Sequence, residues 1–395
     1  MKDFVMKNQK WPILGKLSQK DFLNRYWQKR PLLMKGALVP FPDLITPEEL
    51  AGMACDPAIE SRLIIEKGGK SPWELRKGPF KPSTFKKLPK KNWTFLVNGV
   101  DRFVPAVNAF LDDFSFVPFW RMDDVMISYA VEDGNVGAHV DNYDVFLVQA
   151  HGTREWMIED RAVMEDDFMP GLPIRLLKRF KPTHRWLLQP GDILYLPPRF
   201  PHHGIARGGD CMTISVGFRS PSLHDVLNGV VASALVNTDE SIRYVDPDLK
   251  PQAPGEISSD AIATIKAEIA QILLSDDTIT DWLGHSVTES YTDVDLRATA
   301  RKTTPSGVQA LLRKAHALVR SEGSRLAYIK RSKGISFFDN GRRSELTGKV
   351  AELGRALADR IVVPVSSIEP LLRDSGCKRF VAELLSSGAI VIDSE

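Results

Sequence analysis

The sequence predicts an α+β protein: a β barrel or sandwich first, then a helical region, then a small winged-helix-like module. Three observations carry this reading. Residues 1–221 hold short alternating apolar segments separated by Gly, Pro and Asp turns. From Pro221 the apolar spacing changes to the helical period. After Thr303 a helix precedes two strand-like segments joined towards the turn Asp339-Asn340-Gly341. At 395 residues and 43% hydrophobic content the chain can fill two or three packed domains. The expected boundaries are 1–221, 222–300 and 301–395.

Taken in order, Leu17–Trp27 and Thr46–Met53 read as helices, the second with Thr46 as N-cap and Pro47 in the first turn. Strand candidates are Trp93–Val97, Val125–Val131, Ala138–Gln149, Arg154–Glu159, Trp186–Leu188, Asp192–Leu196 and Met212–Phe218. Two apolar stripes follow. Leu223, Val226, Leu227, Val230, Val231, Ala234 and Leu235 form one, and Ile262, Ile265, Ile269, Ile272 and Leu273 form the other, beyond the proline-bearing linker Asp246–Pro254. Stripe width fits core packing and a dimer interface equally. The last region contains helix Ser306–Arg320, strands Arg325–Ile329 and Ile335–Phe338, further helices and a final strand Ala389–Asp393.

Composition narrows the class. A formal net charge of +2 does not mark the whole chain as a nucleic-acid binder. In the winged-helix-like region Glu345, Glu352, Asp359, Glu369, Asp374 and Glu383 dilute the Lys and Arg, so nucleic acid is not expected as a primary partner. Cys55, Cys211 and Cys377 lie far apart without CxxC spacing, which argues against a disulfide framework or a zinc–cysteine site. The start Met1–Lys7 lacks an apolar signal core, and no run is apolar enough to span a bilayer. A cytoplasmic protein with no membrane partner is expected.

Chemistry enters with His139-Val140-Asp141, read as part of an apolar strand, and Pro201-His202-His203-Gly204 about sixty residues later. His-X-Asp with a distal His is the ligand pattern of a mononuclear non-haem iron site, in which two imidazoles and a carboxylate hold one face of the metal. On a strand, His139, Asp141 and Tyr143 would share one face. Turning a carboxylate and an imidazole into a barrel is costly unless a cation compensates. The alternative is a hydrogen-bonded core pair. The distal segment follows the turn Gln189-Pro190-Gly191-Asp192, the strand Ile193–Leu196 and a proline-stiffened approach. Either His202 or His203 could be the third ligand, since an extended backbone points them oppositely. Arg154, placed beyond a turn Ala150-His151-Gly152-Thr153, shares parity with Trp156 and Ile158. An inward arginine near a metal points to an anionic co-substrate held by a two-pronged fork. A surface pair with Glu155 is the bland alternative.

The segments Phe22–Leu33, Asp123–Tyr129, His139–Phe146 and Pro197–His202 resemble the bacterial JmjC-type ribosomal oxygenases. The resemblance spans nearly the whole chain and is most specific in the first 221 residues. It implies a double-stranded β-helix (jelly-roll, JmjC/cupin) catalytic domain, a helical dimerisation region giving a homodimer, and a C-terminal winged-helix-like domain. It further implies an enzyme using Fe(II), 2-oxoglutarate and O2 to hydroxylate an arginine β-carbon in large-subunit ribosomal protein sixteen. Carried over by motif, His139, Asp141 and His202 would hold the iron and Arg154 the distal carboxylate of 2-oxoglutarate. Asp124, Met126, Tyr143 and Ser215 would form the arginine pocket. Strand parity independently puts Asp124, Met126 and Ser128 on one face. His203 stands where the family commonly has an acidic residue.

Acidic doublets at Asp112-Asp113, Glu132-Asp133, Glu159-Asp160 and Glu165-Asp166-Asp167 are expected around the mouth, attracting a basic polypeptide. The basic run Lys67–Lys91 does not suit such a partner; a solvated face and an RNA contact both remain open. Rival readings are a JmjC-type demethylase of a basic protein, a cupin-like metal enzyme without 2-oxoglutarate, and a non-enzymatic ribosome- or RNA-binding protein on a cupin scaffold.

Overall fold

Residues 11–69, 72–164, 167–289 and 300–394 are described by the structure, a computed structural model. Met1–Lys7, Lys70, Glu165 and Asp166 therefore lie outside the described residues. Strands β1 (Leu32–Met34), β2 (Ser61–Glu66), β3 (Trp73–Lys77), β4 (Trp93–Val97), β5 (Met122–Ala130), β6 (Asp144–Ile158), β7 (His184–Leu188), β8 (Ile193–Leu196) and β9 (His202–Phe218) form one folded-over sheet. Its order is β1-β8-β6-β9-β5-β4-β2-β3, with β7 on the far half of β6.

The folding-over comes from β6 and β9. Val145–Val148 pair with Leu196–Ile193 of β8, whereas Arg154–Ile158 pair with Leu188–His184 of β7. β9 accompanies β6 through both halves, across register shifts at Gln149/His151 and His151/Thr153. Bulges of this kind bend a strand and increase its twist. Two results differ from the sequence expectations. Ala150–Thr153 is no turn between two strands but a bulge within continuous β6, because β9 supplies pairing on either side of it. Ala138–Tyr143 is not the start of a strand either: His139 makes one isolated bridge to His202, and a bend at Asn142 and Tyr143 precedes β6.

Val145-Phe146-Leu147-Val148 is continuously apolar because both faces of β6 are covered. Val145 and Leu147 join Trp156, Ile158, Leu188, Leu194 and Leu196 inside the barrel. Phe146 and Val148 point outward into a cluster with Phe22, Phe114, Tyr195 and Phe218, under the N-terminal helices. Phe22 makes edge contacts with Tyr195 and Phe116 at centroid distances of 5.0 and 5.6 Å. Such pairs add roughly 0.5–1.5 kcal/mol beyond burial. Its helix, Gln19–Arg25, is capped by Ser18, and Pro47–Met53 has the full Thr46/Glu49 capping box.

Beyond the barrel come helices Leu223–Val236, Ser259–Leu273 and Asp276–Thr288. The C-terminal region contains β10 (Ala315–Arg320), β11 (Leu326–Arg331), β12 (Gly334–Asp339), β13 (Arg342–Leu346), β14 (Val362–Pro364) and β15 (Ile390–Ser394). Helix Pro305–Leu312 stops where Ser306–Arg320 was expected to continue. Ala315–Arg320 is instead the middle strand between β14 and β15, a distant pairing that outweighs local propensity. β12 and β13 form a hairpin over Asn340-Gly341, both with positive φ, as a primed turn requires. This region is tied to the barrel: Asp112 accepts Ile361 N and Val362 N at 2.6 and 3.2 Å, and Arg325 donates to the carbonyls of Met122 and Asp123. No described helix is long and apolar enough to cross a membrane.

Gly152 sits in the β6 bulge at φ +59°, and a Cβ there would lie 1.9 Å from the Asp210 carbonyl oxygen. Gly152→Ala should lower stability by roughly 2–4 kcal/mol through strain and displacement of β9. Urea unfolding measures this; an unchanged midpoint would mean the bend does not need this backbone.

Candidate active site

A cavity of about 560 Å³ opens inside the barrel, lined by residues of β2, β5, β6 and β9 and by the segment preceding β6. His139, Asp141 and His202 converge there, with ligand atoms mutually within 4.8 Å. Two reciprocal backbone hydrogen bonds, His139 N to His202 O at 3.1 Å and His202 N to His139 O at 3.0 Å, join the two histidine-bearing segments. Arg199 N, in a left-handed conformation at φ 70°, donates to Asp141 O at 2.7 Å. Thus His139 and Asp141 face the cavity because cross-bridges hold a short irregular segment, not through strand alternation.

Each imidazole has its Nδ1 next to a carbonyl: His139 to Gly137 O at 3.0 Å and His202 to Phe200 O at 2.9 Å. Donation from Nδ1 leaves Nε2 with a lone pair, the usual arrangement of a metal-binding histidine. His202 Nε2 lies 3.5 Å from Asp141 Oδ2. Burial, reinforced by His139, pushes His202 down to about 4, so it is neutral at ordinary pH. Two imidazoles and one carboxylate fit a divalent ion with an open face.

His203 points away. Its Nε2 lies 3.1 Å from Asn135 Oδ1, and burial holds it down at about 4. Of the two candidates His202 and His203, His202 is the one whose ring lies with His139 and Asp141. Asn135, which the sequence reading missed, also accepts from Gly137 N at 2.9 Å and donates to Glu66 at 2.7 Å, fixing the loop that leads to His139. Gly134-Asn135-Val136-Gly137, a turn-type cluster one residue short of His139, was the available signal.

Arg154 is buried and points inward as parity predicted. Its Nη1 donates across the barrel to Ser128 Oγ at 3.2 Å, its Nε is buried without a hydrogen-bond partner, and no carboxylate pairs with it among the described residues. The guanidinium carbon lies 5.6 Å from the Trp156 ring centroid, and Trp156 packs over Gly204, where a Cβ would come within 2.7 Å of the ring. A buried arginine lacking a counterion is a prepared anion site.

Asp124, Met126, Tyr143 and Ser215 line the same cavity, and Met126 and Ser215 are cross-strand partners. Val125 and Ile127 face the opposite core, so the expected alternation along β5 holds. Burial, with Asp101 and Asp123 nearby, pushes the Asp124 carboxyl up to about 6. Arg62, Arg175 and Arg199 also line the cavity and were not foreseen.

None of the described residues of the acidic doublets lines this cavity. Asp112 caps Ile361 and Val362, Asp113 accepts Trp11 N, and Glu132 accepts Gly209 N. Asp133 pairs with Arg207, Glu159 accepts Lys181 N, and Asp167 pairs with Lys178. These carboxylates are engaged in structural contacts, and Glu165 and Asp166 lie outside the described residues.

A jelly-roll barrel with this triad, followed by a winged helix, defines the JmjC oxygenase class. The JmjC domain family matches residues 109–226, and the ROXA-like winged helix family matches residues 267–390. Over 373 residues the chain is 32% identical to the ribosomal protein uL16 3-hydroxylase of Escherichia coli K12, covering 94% of this chain and 97% of that protein. It is also 32% identical to a probable ribosomal oxygenase of Haemophilus influenzae over 67% of this chain and 64% of that protein. The solved structure of YcfD, a ribosomal oxygenase from Escherichia coli, superposes with a TM-score of 0.82 at 30% identity, covering 96% of this chain and 99% of that one. Another YcfD structure, with the same figures, is a complex with cobalt and 2-oxoglutarate. The chain belongs to the JmjC-domain ribosomal oxygenase family, and it is an oxygenase.

Proposed function

We propose that the chain is an iron(II)- and 2-oxoglutarate-dependent hydroxylase acting on an arginine β-carbon of large-subunit ribosomal protein sixteen (uL16). One observation carries the co-substrate assignment: a buried guanidinium without a carboxylate partner shares a cavity with a His, Asp, His triad. The similarity to the uL16 hydroxylase supports the substrate. The same proposal divides the chain into a catalytic unit at 1–221, a helical dimerisation unit at 222–300 and a winged-helix-like unit at 301–395. A core running from Val308 to Ile390 supports the third.

His139, Asp141 and His202 would hold the iron, their Nδ1 hydrogen bonds and backbone bridges keeping the donor atoms aimed. Arg154 would pair with the remote carboxylate of 2-oxoglutarate, oriented by Ser128 and Trp156. When bound, iron, 2-oxoglutarate and O2 supply the oxidant that turns C–H into C–OH, with succinate and carbon dioxide as co-products. Asp124 would pair with the substrate guanidinium, Tyr143 and Met126 would flank its plane, and Ser215 would offer a further polar contact. These residues decide which carbon faces the metal, a matter of position more than of chemistry.

The exposed helix faces support a homodimer. Leu227 is 56% exposed on Leu223–Val236, and Ile262, Ile265 and Ile269 are exposed on Ser259–Leu273. A stripe of this kind on two adjacent helices is an interface in waiting. A ribosomal substrate also fits a cytoplasmic location.

Intact mass of a uL16 peptide incubated with protein, iron(II), ascorbate and 2-oxoglutarate should rise by one oxygen, about 16 Da, and the gain should vanish in His139→Ala. Arg154→Met should raise the KM for 2-oxoglutarate about 10- to 100-fold, the worth of a charged hydrogen bond. No mass gain would reject the substrate; a gain insensitive to Arg154→Met would reject that residue's role.

Asp124 must be ionised to hold a guanidinium, and its carboxyl is raised to about 6. Peptide kcat/KM at saturating iron and 2-oxoglutarate should therefore climb as pH rises through about 6 and then level, while Asp124→Asn should give a low, flat profile. A wild-type profile without that climb would remove Asp124 as the partner.

Double substitution Leu227→Asp with Ile265→Asp should convert the dimer to a folded monomer in sedimentation equilibrium; a monomeric wild type would overturn the homodimer.

A further inference from the structure

Residues 67–91 contain nine Lys and Arg but a single acidic residue, Glu74, in a chain whose net charge is only +2. They build edge strand β3 and the segment running through the short helix Pro82–Lys86 towards β4. Lys67 and Arg76 share Glu74, and Lys91 reaches Asp133 at 3.5 Å. Lys77, Lys81, Lys86, Lys87 and Lys90 are exposed and make no ion pair with any described residue. A surface groove of about 330 Å³ runs between these elements, lined by four cations, Lys67, Arg76, Lys87 and Lys91, with one carboxylate, Glu66, and Asn92 beside Leu88 and Pro89.

We propose that this face is a sequence-independent RNA-binding surface that contacts the phosphate backbone. Its chemistry is unlike a protein interface. No large apolar side chain of the segment is exposed: Phe80 is buried, and Trp73 and Phe85 are half-buried. A protein partner would need a dry apolar centre to accompany the charges. Lysines spaced along an edge, without such a centre, match repeating phosphates. The absence of an exposed ring among the described residues of the segment also leaves no platform for base stacking, so sequence preference is not expected.

The face adjoins the active cavity. Arg62 and Leu75, both on the β2–β3 hairpin, line that cavity, and Arg62 is the cross-strand partner of Lys77. RNA lying on β3 would thus pass beside the mouth while a polypeptide occupies it. RNA binding itself does not depend on the hydroxylase reading.

Fluorescence anisotropy with a fluorescein-labelled RNA hairpin, titrated with the full chain between about 50 and 200 mM KCl, tests the proposal. Wild type should bind, and a scrambled hairpin should bind equally well. The variant Lys81→Glu/Lys86→Glu/Lys87→Glu/Lys90→Glu should bind at least 30-fold more weakly, and its log Kd against log salt slope should fall by about 3, near 0.7–0.9 per lost contact. The corresponding fourfold Lys→Arg variant should retain affinity, which separates charge from misfolding. Absence of RNA binding by wild type, unchanged binding by the Glu variant, or equal binding of polyglutamate would each overturn the proposal. Hydroxylation of an isolated peptide should be the same in the Glu variant and wild type, so failure of peptide hydroxylation in both would count against the proposed function and leave the RNA result standing.

Discussion

β6 and β9 pair with each other along most of their length, through two successive register shifts, and the site depends on that pairing. The first half of the pair carries Val145, Leu147 and Ser215; the second carries Arg154, Trp156 and His202. Bending one two-stranded ribbon over itself therefore brings the buried Arg154, the His202 imidazole and the Ser215 hydroxyl around one cavity. Each face of the bend is covered: by the inner cluster around Leu147 and Leu194 and by the aromatic cluster around Phe146, Tyr195 and Phe218. Close packing on both sides leaves the strands little freedom to slip.

Charge inside this cavity is arranged so that ligands complete it. Arg154 without a carboxylate and Asp124 raised to about 6 are both costs of burial that a bound anion and a bound guanidinium would offset. The triad follows the same logic, with a buried neutral His202 and a carboxylate gathered for a cation. The winged-helix region supports the β5 side of the cavity. Arg325 grips the carbonyls of Met122 and Asp123, immediately before Asp124 on β5, so the C-terminal region braces the strand that carries the cavity carboxylate Asp124.

Surface charge divides into two kinds. Among the described residues, Asp112, Asp113, Glu132, Asp133, Glu159 and Asp167 bind backbone amides or neighbouring cations, holding loops and the C-terminal region in place. Several lysines beyond β3 have no such duty, which is why that face, and not the acidic doublets, speaks to a partner.

Identity of the chemical groups was legible in the sequence. His139, Asp141 and a histidine at 202 or 203 are rare types in a recognisable order, and the alternation along β5 was readable because the strand is regular and buried on one side by Val125 and Ile127. The helix cap at Thr46 was equally local. The tertiary structure decided what long-range pairing decides. It made Ala150–Thr153 a bulge and not a turn, turned Ala315–Arg320 into a central strand, and held His139 and Asp141 by bridges to His202 and Arg199. It also engaged Asp112, Asp113, Glu132 and Asp133 in contacts with residues remote in sequence, and it turned His202 inward and His203 towards Asn135. Local pattern records which side chains are present and how they alternate; which backbone groups meet across two hundred residues depends on packing free energy that no short window contains.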